Sequence, residues 1–347
     1  MEYRKLILAG DSEDSFEKNG QSVYGRNIRD LLDRSEIPYT KISVMMPEMS
    51  VKYMKWCLFE LPKLIIRMRR LDPNSVVHLT WEYYGFLMPF IKGKKIVTVH
   101  HIMSEKDHAK KLWYRVWKAF TKMAILRSDL IIAISPQTRK EIIDMLDVPE
   151  ENIRVIMNRP SDAFTTLDSI EREKMIGFVG TLTKRKNISA LLRSFKKLSE
   201  MQGMSDVKLK ICGKGQEHSS LQDMVRSLGI ADRTEFVEDI SADDLLMFYN
   251  KMTVLANPSL HEGFGNVTLE AQRCSTPVVF FRHAGIPPEV TRFAIGCEDE
   301  DEFTDVMYRL LTDNEYWSVI SKEGKTYSDN FGGNYSEEML NLYRDHL

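Results

Sequence analysis

Pro258-Ser-Leu-His-Glu262-Gly-Phe-Gly-Asn266-Val-Thr-Leu-Glu270-Ala271 is the stretch on which the reading of this chain turns. It follows an apolar, strand-like run at 252–257 and opens a helix-like run at 267–274. Two carboxylates, Glu262 and Glu270, stand eight residues apart, and Gly263, Phe264, Gly265 and Asn266 directly follow the first. Glycine lets a backbone come close to a ligand, and the start of a helix offers N–H groups to an anion. Glu262 falls on the loop and Glu270 in the first turns of the helix, so both can face one cleft. A structural glycine loop with two surface glutamates is the other reading of the same residues.

Working outward, strand-like and helix-like runs alternate along the chain. In the first half the spacing predicts strands at 5–9, 39–45, 75–79, 95–99, 129–134 and 153–157. Helices are expected at 22–34, 52–70, 106–127 and 136–145, with Pro62 marking a kink or break and Ser22 an N-cap. Residues 159–173 are polar and irregular and read as a linker. The alternation restarts with strands at 175–179, 207–212, 234–237, 253–256, 277–281 and 293–296. Residues 302–347 read as helical, interrupted at 330–333. Strands alternating with helices predict parallel sheets covered on both faces. The α/β organisation expected is therefore two Rossmann-like domains, 1–160 and 161–330, facing each other across a cleft. A C-terminal helix at 331–347 is expected to return to the first domain. Ligands of such sheets bind outside the carboxyl ends of the strands.

The 347 residues suit two domains, and 43% hydrophobic with 28% charged residues is ordinary for a globular protein. A net charge of −2 gives no global attraction to nucleic acid. The charge is uneven, however: residues 1–160 carry 27 Lys+Arg against 20 Asp+Glu, and residues 51–127 carry 16 against 5. Such a field favours anionic partners. Cys57, Cys212, Cys274 and Cys297 are widely spaced and lie in apolar runs, which predicts reduced thiols. No signal peptide is visible and no apolar run approaches about 18 residues. The expected location is cytoplasmic, peripheral on the inner face of a membrane.

Other stretches fall at strand ends. Gly177-Phe-Val-Gly180-Thr-Leu-Thr-Lys184-Arg185-Lys186-Asn187 carries three cations before a helix for which Asn187 is a suitable N-cap. It suits a diphosphate clamp, or equally a solvated basic turn. Gly213-Lys-Gly215-Gln-Glu-His218 approaches a dinucleotide turn but lacks the third glycine, so a plain strand-to-helix turn is the simpler role. His100 and His101 end a strand. His100 can touch a ligand, but the two point to opposite faces if extended, and no supporting ligand is spaced for a metal. Gly20, at the entry to the first helix, can admit a phosphate or simply belong to a flexible loop. Asp243 and Asp244 follow Ser241, which reads as helix capping rather than a metal site. Lys52, Lys55, Arg67, Arg69 and Arg70 flank Trp56 and Phe59. Lys110, Lys111, Arg115, Lys118 and Lys122 accompany Trp113, Trp117 and Phe120. These basic aromatic segments suit an anionic membrane surface, or helices packed on a sheet with solvated lysines.

Taken together, Glu262-Gly-Phe-Gly-Asn266, Leu269-Glu270-Ala271, Thr276-Pro-Val-Val, Gly285-Ile-Pro-Pro-Glu289, Gly213-Lys-Gly215 and Asp129-Leu-Ile-Ile-Ala-Ile-Ser135 resemble the retaining glycosyltransferases of the family-4 type, glycosyl transferases group 1, with the GT-B fold. The resemblance covers nearly the whole chain. It implies a sugar moved from a nucleoside-diphosphate donor, UDP- or GDP-linked, to a hydroxyl of a glycan or lipid-linked acceptor, with no metal and no cofactor. Glu270 is implied to bind the ribose and Glu262 the transferred sugar. Gly263, Phe264, Gly265 and Asn266 are implied to meet diphosphate or sugar through their N–H groups. Lys186 is implied to hold the diphosphate beside Gly180 and Gly213, His100 to contact the donor sugar, and Gly20 to lie near the phosphates. The implied catalytic residues are His100, Glu262 and Lys186. The family often has arginine after the glycine matched by Gly180; here that residue is Thr181. A non-catalytic nucleotide-sugar-binding or scaffolding subunit, and less readily a sugar-nucleotide epimerase, are the alternatives.

Overall fold

The computed structural model of the chain describes residues 5–10, 20–44, 55–100, 102, 112–146 and 148–347. The chain divides into two compact units, Met1–Asn158 together with Gly332–Leu347, and Arg159–Phe331. In the first unit the described strands are β1 (Leu6–Gly10), β2 (Tyr39–Ser43), β3 (Val76–Leu79), β4 (Lys94–Val99), β5 (Leu130–Ala133) and β6 (Ile153–Val155). They form a parallel sheet in the order β2-β1-β3-β4-β5-β6. β1, β3 and β5 are buried along their whole length and apolar except for His78, as helices covering both faces require.

The second unit repeats the plan with β7 (Glu173–Val179), β8 (Lys208–Cys212), β9 (Thr234–Val237), β10 (Met252–Asn257), β11 (Val278–Phe281) and β12 (Ile295–Cys297). The sheet is again parallel, in the order β12-β11-β10-β7-β8-β9. From β7 the chain winds outward through β8 and β9, then returns to β10 and winds outward the other way. The β7/β10 pair is thus the topological switch point, where loops leaving adjacent strands diverge and open a crevice.

Several local expectations change. The 159–173 segment is a strap on the second unit rather than a linker. The Leu167 N–H donates to Asn250 Oδ1 (2.8 Å), and the Arg172 guanidinium donates to Met252 O (2.8 Å), Cys274 O (2.5 Å) and Thr276 Oγ1 (2.8 Å). The first helix begins at Gly20, so Ser22 lies inside it rather than at its cap. Around Pro62 a π-helical turn, Trp56–Glu60, passes into the helix Leu61–Arg69 with the proline in its first turn. The run from Lys55 to Arg69 is helical without interruption, and the widened turn stands directly before the proline, a local irregularity of the kind a proline brings inside a helix rather than an end to it. The C-terminal region has a second interruption, at Asp313. Its side chain accepts the Tyr316 N–H (2.9 Å) and so ends Glu300–Thr312 and starts Asn314–Asn330.

The last helix, Tyr335–Arg344, belongs to the first unit through a buried polar chain. Tyr343 Oη lies 2.7 Å from His78 Nδ1, His78 Nε2 lies 2.8 Å from Thr98 Oγ1, and Thr98 Oγ1 lies 2.8 Å from Tyr24 Oη. Burial, with the nearby His100 adding to it, lowers the His78 pKa to about 3, so the ring is neutral. One ring nitrogen donates and the other accepts, so the chain of hydrogen bonds can run in either direction without a break. Tyr343→Phe strands one buried imidazole nitrogen, which costs about 1–3 kcal/mol. Urea unfolding is expected to show a loss of that size, and an unchanged midpoint would mean that the hydroxyl is not engaged.

Candidate functional site

Two loops meet at the switch point. The loop after β7 starts at Gly180, whose φ of +153° suits glycine. It is laced to the loop after β8: the Gly180 N–H donates to Cys212 O (3.0 Å) and the Leu182 N–H to Lys214 O (2.7 Å). A Cβ on Gly213 would lie 1.8 Å from Gly180 O, and one on Gly215 would lie 2.2 Å from Leu182 O. These two glycines therefore serve close packing of loop against loop. Lys184–Lys186 makes one 3-10 turn, and Asn187 follows in the left-handed region (φ 50°) without capping the helix Ile188–Ser199 through its side chain. Asn187 holds the N-cap position, as expected, but its side chain accepts from Ser189 Oγ (3.4 Å) instead of from a backbone N–H of the first turn.

That 3-10 turn aims two cations at the loop after β10. The Lys186 ammonium, buried, bonds Glu262 Oε1, while Arg185 Nη1 bonds Glu262 Oε2 (3.1 Å) and His261 O (2.5 Å). Ser259 Oγ donates to the same carboxylate (2.9 Å), and the Glu262 N–H is held by Ala284 O (2.9 Å). Burial alone pushes the Glu262 carboxyl up, but the Lys186 and Arg185 charges outweigh it and hold the pKa at about 2. Glu262 is thus ionised at any pH above the ordinary carboxylate range, and its pairing is lost only as pH falls toward about 2. The sequence suggested a diphosphate lysine and a sugar-binding glutamate as separate groups. In the structure they are bonded to each other.

Glu270 is in the opposite condition. It lies within Asn266–Arg273, a helix whose N-cap, Gly265 (φ 87°), provides no side-chain cap. A Cβ at Gly265 would lie 3.0 Å from Ile286 Cγ2, so the loop 285–290 packs against this helix start. Phe264 is buried and sits edge-on to Phe331 at 6.2 Å. Glu270 is buried, its Oε2 accepts the Tyr249 hydroxyl (2.8 Å), and no cation pairs with it among the described residues. Burial pushes its pKa up to about 7, with the Tyr249 hydrogen bond opposing. The two glutamates therefore differ in charge state near neutrality, one fixed as an anion and the other poised to titrate.

In the first unit His100 follows β4 and is buried. Its Nε2 donates to Thr80 O (2.9 Å), its backbone N–H donates to Glu82 Oε2 (3.0 Å), and the Tyr24 ring meets it edge-on at 4.9 Å. Burial lowers the ring pKa to about 4, against the opposing Thr80 hydrogen bond. His100 is therefore neutral at pH 7, with Nδ1 as its acceptor side. Gly20 is the first residue of its helix. Residues 11–19, His101, Lys52, Lys110 and Lys111 lie outside the described residues. Ser241 accepts the Asp244 N–H (3.0 Å), so Asp243 and Asp244 sit in the first turn of a capped helix. His218 pairs with Glu238 (3.0 Å). Among the described residues no group of three or more His, Cys, Asp or Glu is placed to hold a metal ion.

Ser259 and Tyr249 are partners of this site that the sequence reading did not assign, and Arg185, read there as one of three clamp cations, is bonded to Glu262. Ser259 lies three residues before Glu262, a local signal that was available. Tyr249 lies 21 residues before Glu270, and nothing in their spacing joins them.

Residues 22–158 match the sequence model of the Glycosyltransferase Family 4 group, and residues 162–327 that of Glycosyl transferases group 1. An uncharacterized glycosyltransferase of Methanocaldococcus jannaschii is 28% identical over 65% of this chain and 62% of its own length. A D-inositol 3-phosphate glycosyltransferase of Corynebacterium jeikeium is 29% identical over 63% of this chain and 58% of its own. The alignments thus span about three-fifths of the length of these curated relatives. Among solved structures, the Anabaena protein Alr3699/HepE in complex with UDP-glucose has a TM-score of 0.75 at 14% identity, covering 99% of this chain and 100% of that one.

Proposed function

The chain belongs to the family-4 glycosyltransferases, with the GT-B fold, and from that premise we propose that it transfers a sugar from a nucleoside-diphosphate donor to a hydroxyl of a glycan or lipid-linked acceptor, with retention of configuration. The donor belongs to the second unit and the acceptor to the first. The observation that carries this reading is the convergence of Lys186 and Arg185 on one buried carboxylate at the β7/β10 switch point. Two cations beside a helix start without a side-chain cap form an anion site, and Glu262 occupies it from within. The donor diphosphate takes over the cations, and Glu262 is released to accept hydrogen bonds from sugar hydroxyls. Glu270 accepts from the ribose.

Lys186 and the Asn266–Arg273 helix start then stabilise the negative charge that grows on the leaving diphosphate. No side chain of the site is an evident nucleophile toward the sugar carbon. Attack of the acceptor on the leaving-group face, with a donor phosphate oxygen taking its proton, fits these residues. His100, neutral and fixed in one tautomer by Thr80, offers Nδ1 as a hydrogen-bond acceptor to a sugar hydroxyl. Lysine and helix dipole supply the positive charge, so the transfer is metal-independent.

A thermal-shift panel of nucleoside diphosphates and their sugars tests the donor assignment, since a ligand of the native state raises the melting temperature. One base is expected to stand out, and the selected sugar nucleotide should be slowly hydrolysed with chelator present. No shift with any member would overturn the donor site, and loss of turnover on chelation would overturn metal independence. A shift without hydrolysis or transfer favours a non-catalytic binding subunit. The exposed Thr181, where the family often has arginine, is the observation on that side.

A further inference from the structure

The segment Trp56–Arg69 connects β2 to β3 and carries an unusual surface. Its inner side is anchored: Trp56 meets Phe86 edge-on at 6.2 Å, and Met68 and Leu64 pack in the core of the unit. Its outer side is apolar. Leu58 is 70% exposed, Phe59 62% and Ile66 49%. These are three of the eight exposed large hydrophobic side chains among the described residues, gathered within nine positions. The clustering follows from the π-helical turn, none of whose residues is buried. Leu58, Pro62 and Ile66, four residues apart, share a face.

Cations border this apolar strip. Lys55, Lys63, Arg67, Arg69 and Arg70 are all exposed, and Glu60 is the one acidic residue of the span. Glu60 pairs with Lys63 at the surface (2.9 Å), and the Arg69 guanidinium rests over the Phe90 ring, 5.0 Å from its centroid. Exposed leucine and phenylalanine beside uncompensated arginines suit a medium that is apolar beneath and anionic at its surface. An acidic protein groove supplies the charge without the depth, and a second copy of this face brings like charge.

We propose that the Leu58–Phe59–Ile66 face is a docking surface for an anionic lipid bilayer, with the apolar side chains inserted at the headgroup boundary and Lys55, Lys63, Arg67 and Arg70 on lipid phosphates. This goes beyond the transferase reading and does not depend on it.

The test is sedimentation of the full chain with phosphatidylcholine vesicles, with and without phosphatidylglycerol, in the absence of donor and acceptor. Binding is expected with the anionic vesicles, to weaken with salt, and to fall about fivefold for each of Arg67→Gln and Arg70→Gln. Leu58→Ser/Phe59→Ser should lower it about tenfold or more, with thermal unfolding and soluble donor hydrolysis unchanged. Failure of the parent to bind anionic vesicles at low salt, or equal binding by the double variant, overturns the proposal. So does a dimer in sedimentation velocity that the double variant abolishes without any vesicle binding. Since no nucleotide is present, these outcomes leave the donor assignment untouched.

Discussion

Lys186→Met is expected to lower transfer about 100- to 1000-fold, the cost of removing one preorganised donor from a developing negative charge, and to destabilise the fold by about 3 kcal/mol. The second effect follows from the pairing. Glu262 and Lys186 are both buried, and removing one partner of a buried pair leaves the other charged in a poor solvent. Arg185, half-exposed and still bonded to the carboxylate, keeps the loss at the lower end. The double variant Lys186→Met/Glu262→Gln removes both charges and should regain most of the stability while regaining no transfer. Urea unfolding and turnover, measured on all three proteins, separate the two roles. A single variant as stable as the parent would show that the pair does not form in solution. Recovery of turnover in the double variant would show that Lys186 serves only to neutralise Glu262.

The second large effect concerns pH. Glu270 has a folded pKa of about 7 against an ordinary value of 4.5. Between those values the unfolded chain ionises while the folded protein keeps the proton, so stability falls as pH rises. The loss approaches about 3 kcal/mol above neutrality. His78 and His100, with pKa values lowered to about 3 and about 4, act in the opposite direction between those values and 6.5. The readout is therefore the difference between the parent and Glu270→Gln in unfolding free energy, which should decline from pH about 5 to about 8. A ribose that donates to the ionised carboxylate drives off the proton. Nucleotide affinity should then rise roughly tenfold from pH 6 to 8, with proton release visible when calorimetry is repeated in buffers of different ionisation enthalpy. Flat affinity, or no proton release, would remove Glu270 from the ribose site.

The fold was largely legible because its signals are local. Alternating apolar runs, with glycine at strand ends, specify two parallel sheets, and Glu262-Gly-Phe-Gly sits where a loop leaves β10. The site was legible as a set of residues but not as a set of bonds. Lys186 and Glu262 are 76 positions apart, and only the adjacency of β7 and β10 brings them together. Opposite shifts in two glutamates of one motif have the same origin. One meets two cations from another loop, and the other meets a tyrosine hydroxyl and apolar neighbours. Asn187 stands at the N-cap position its type suggested, but in the left-handed region after a 3-10 turn it does not bond the first-turn N–H groups. Pro62 signals an irregularity in sequence, but the form it takes, a π-helical turn before it rather than an end to the helix, is not written there.

The second unit is an insertion in the first. Residues 159–331 are made as one uninterrupted piece, whereas the first unit is assembled from residues on both sides of them. A ribosome that has delivered Phe331 has delivered the whole second unit, with Lys186, Glu262 and Glu270 all in hand. It has not yet delivered the Tyr343 hydroxyl that completes the chain from His78 through Thr98 to Tyr24, the ring that abuts His100. Synthesis therefore imposes an order: the half of the protein that begins first is the half that is finished last.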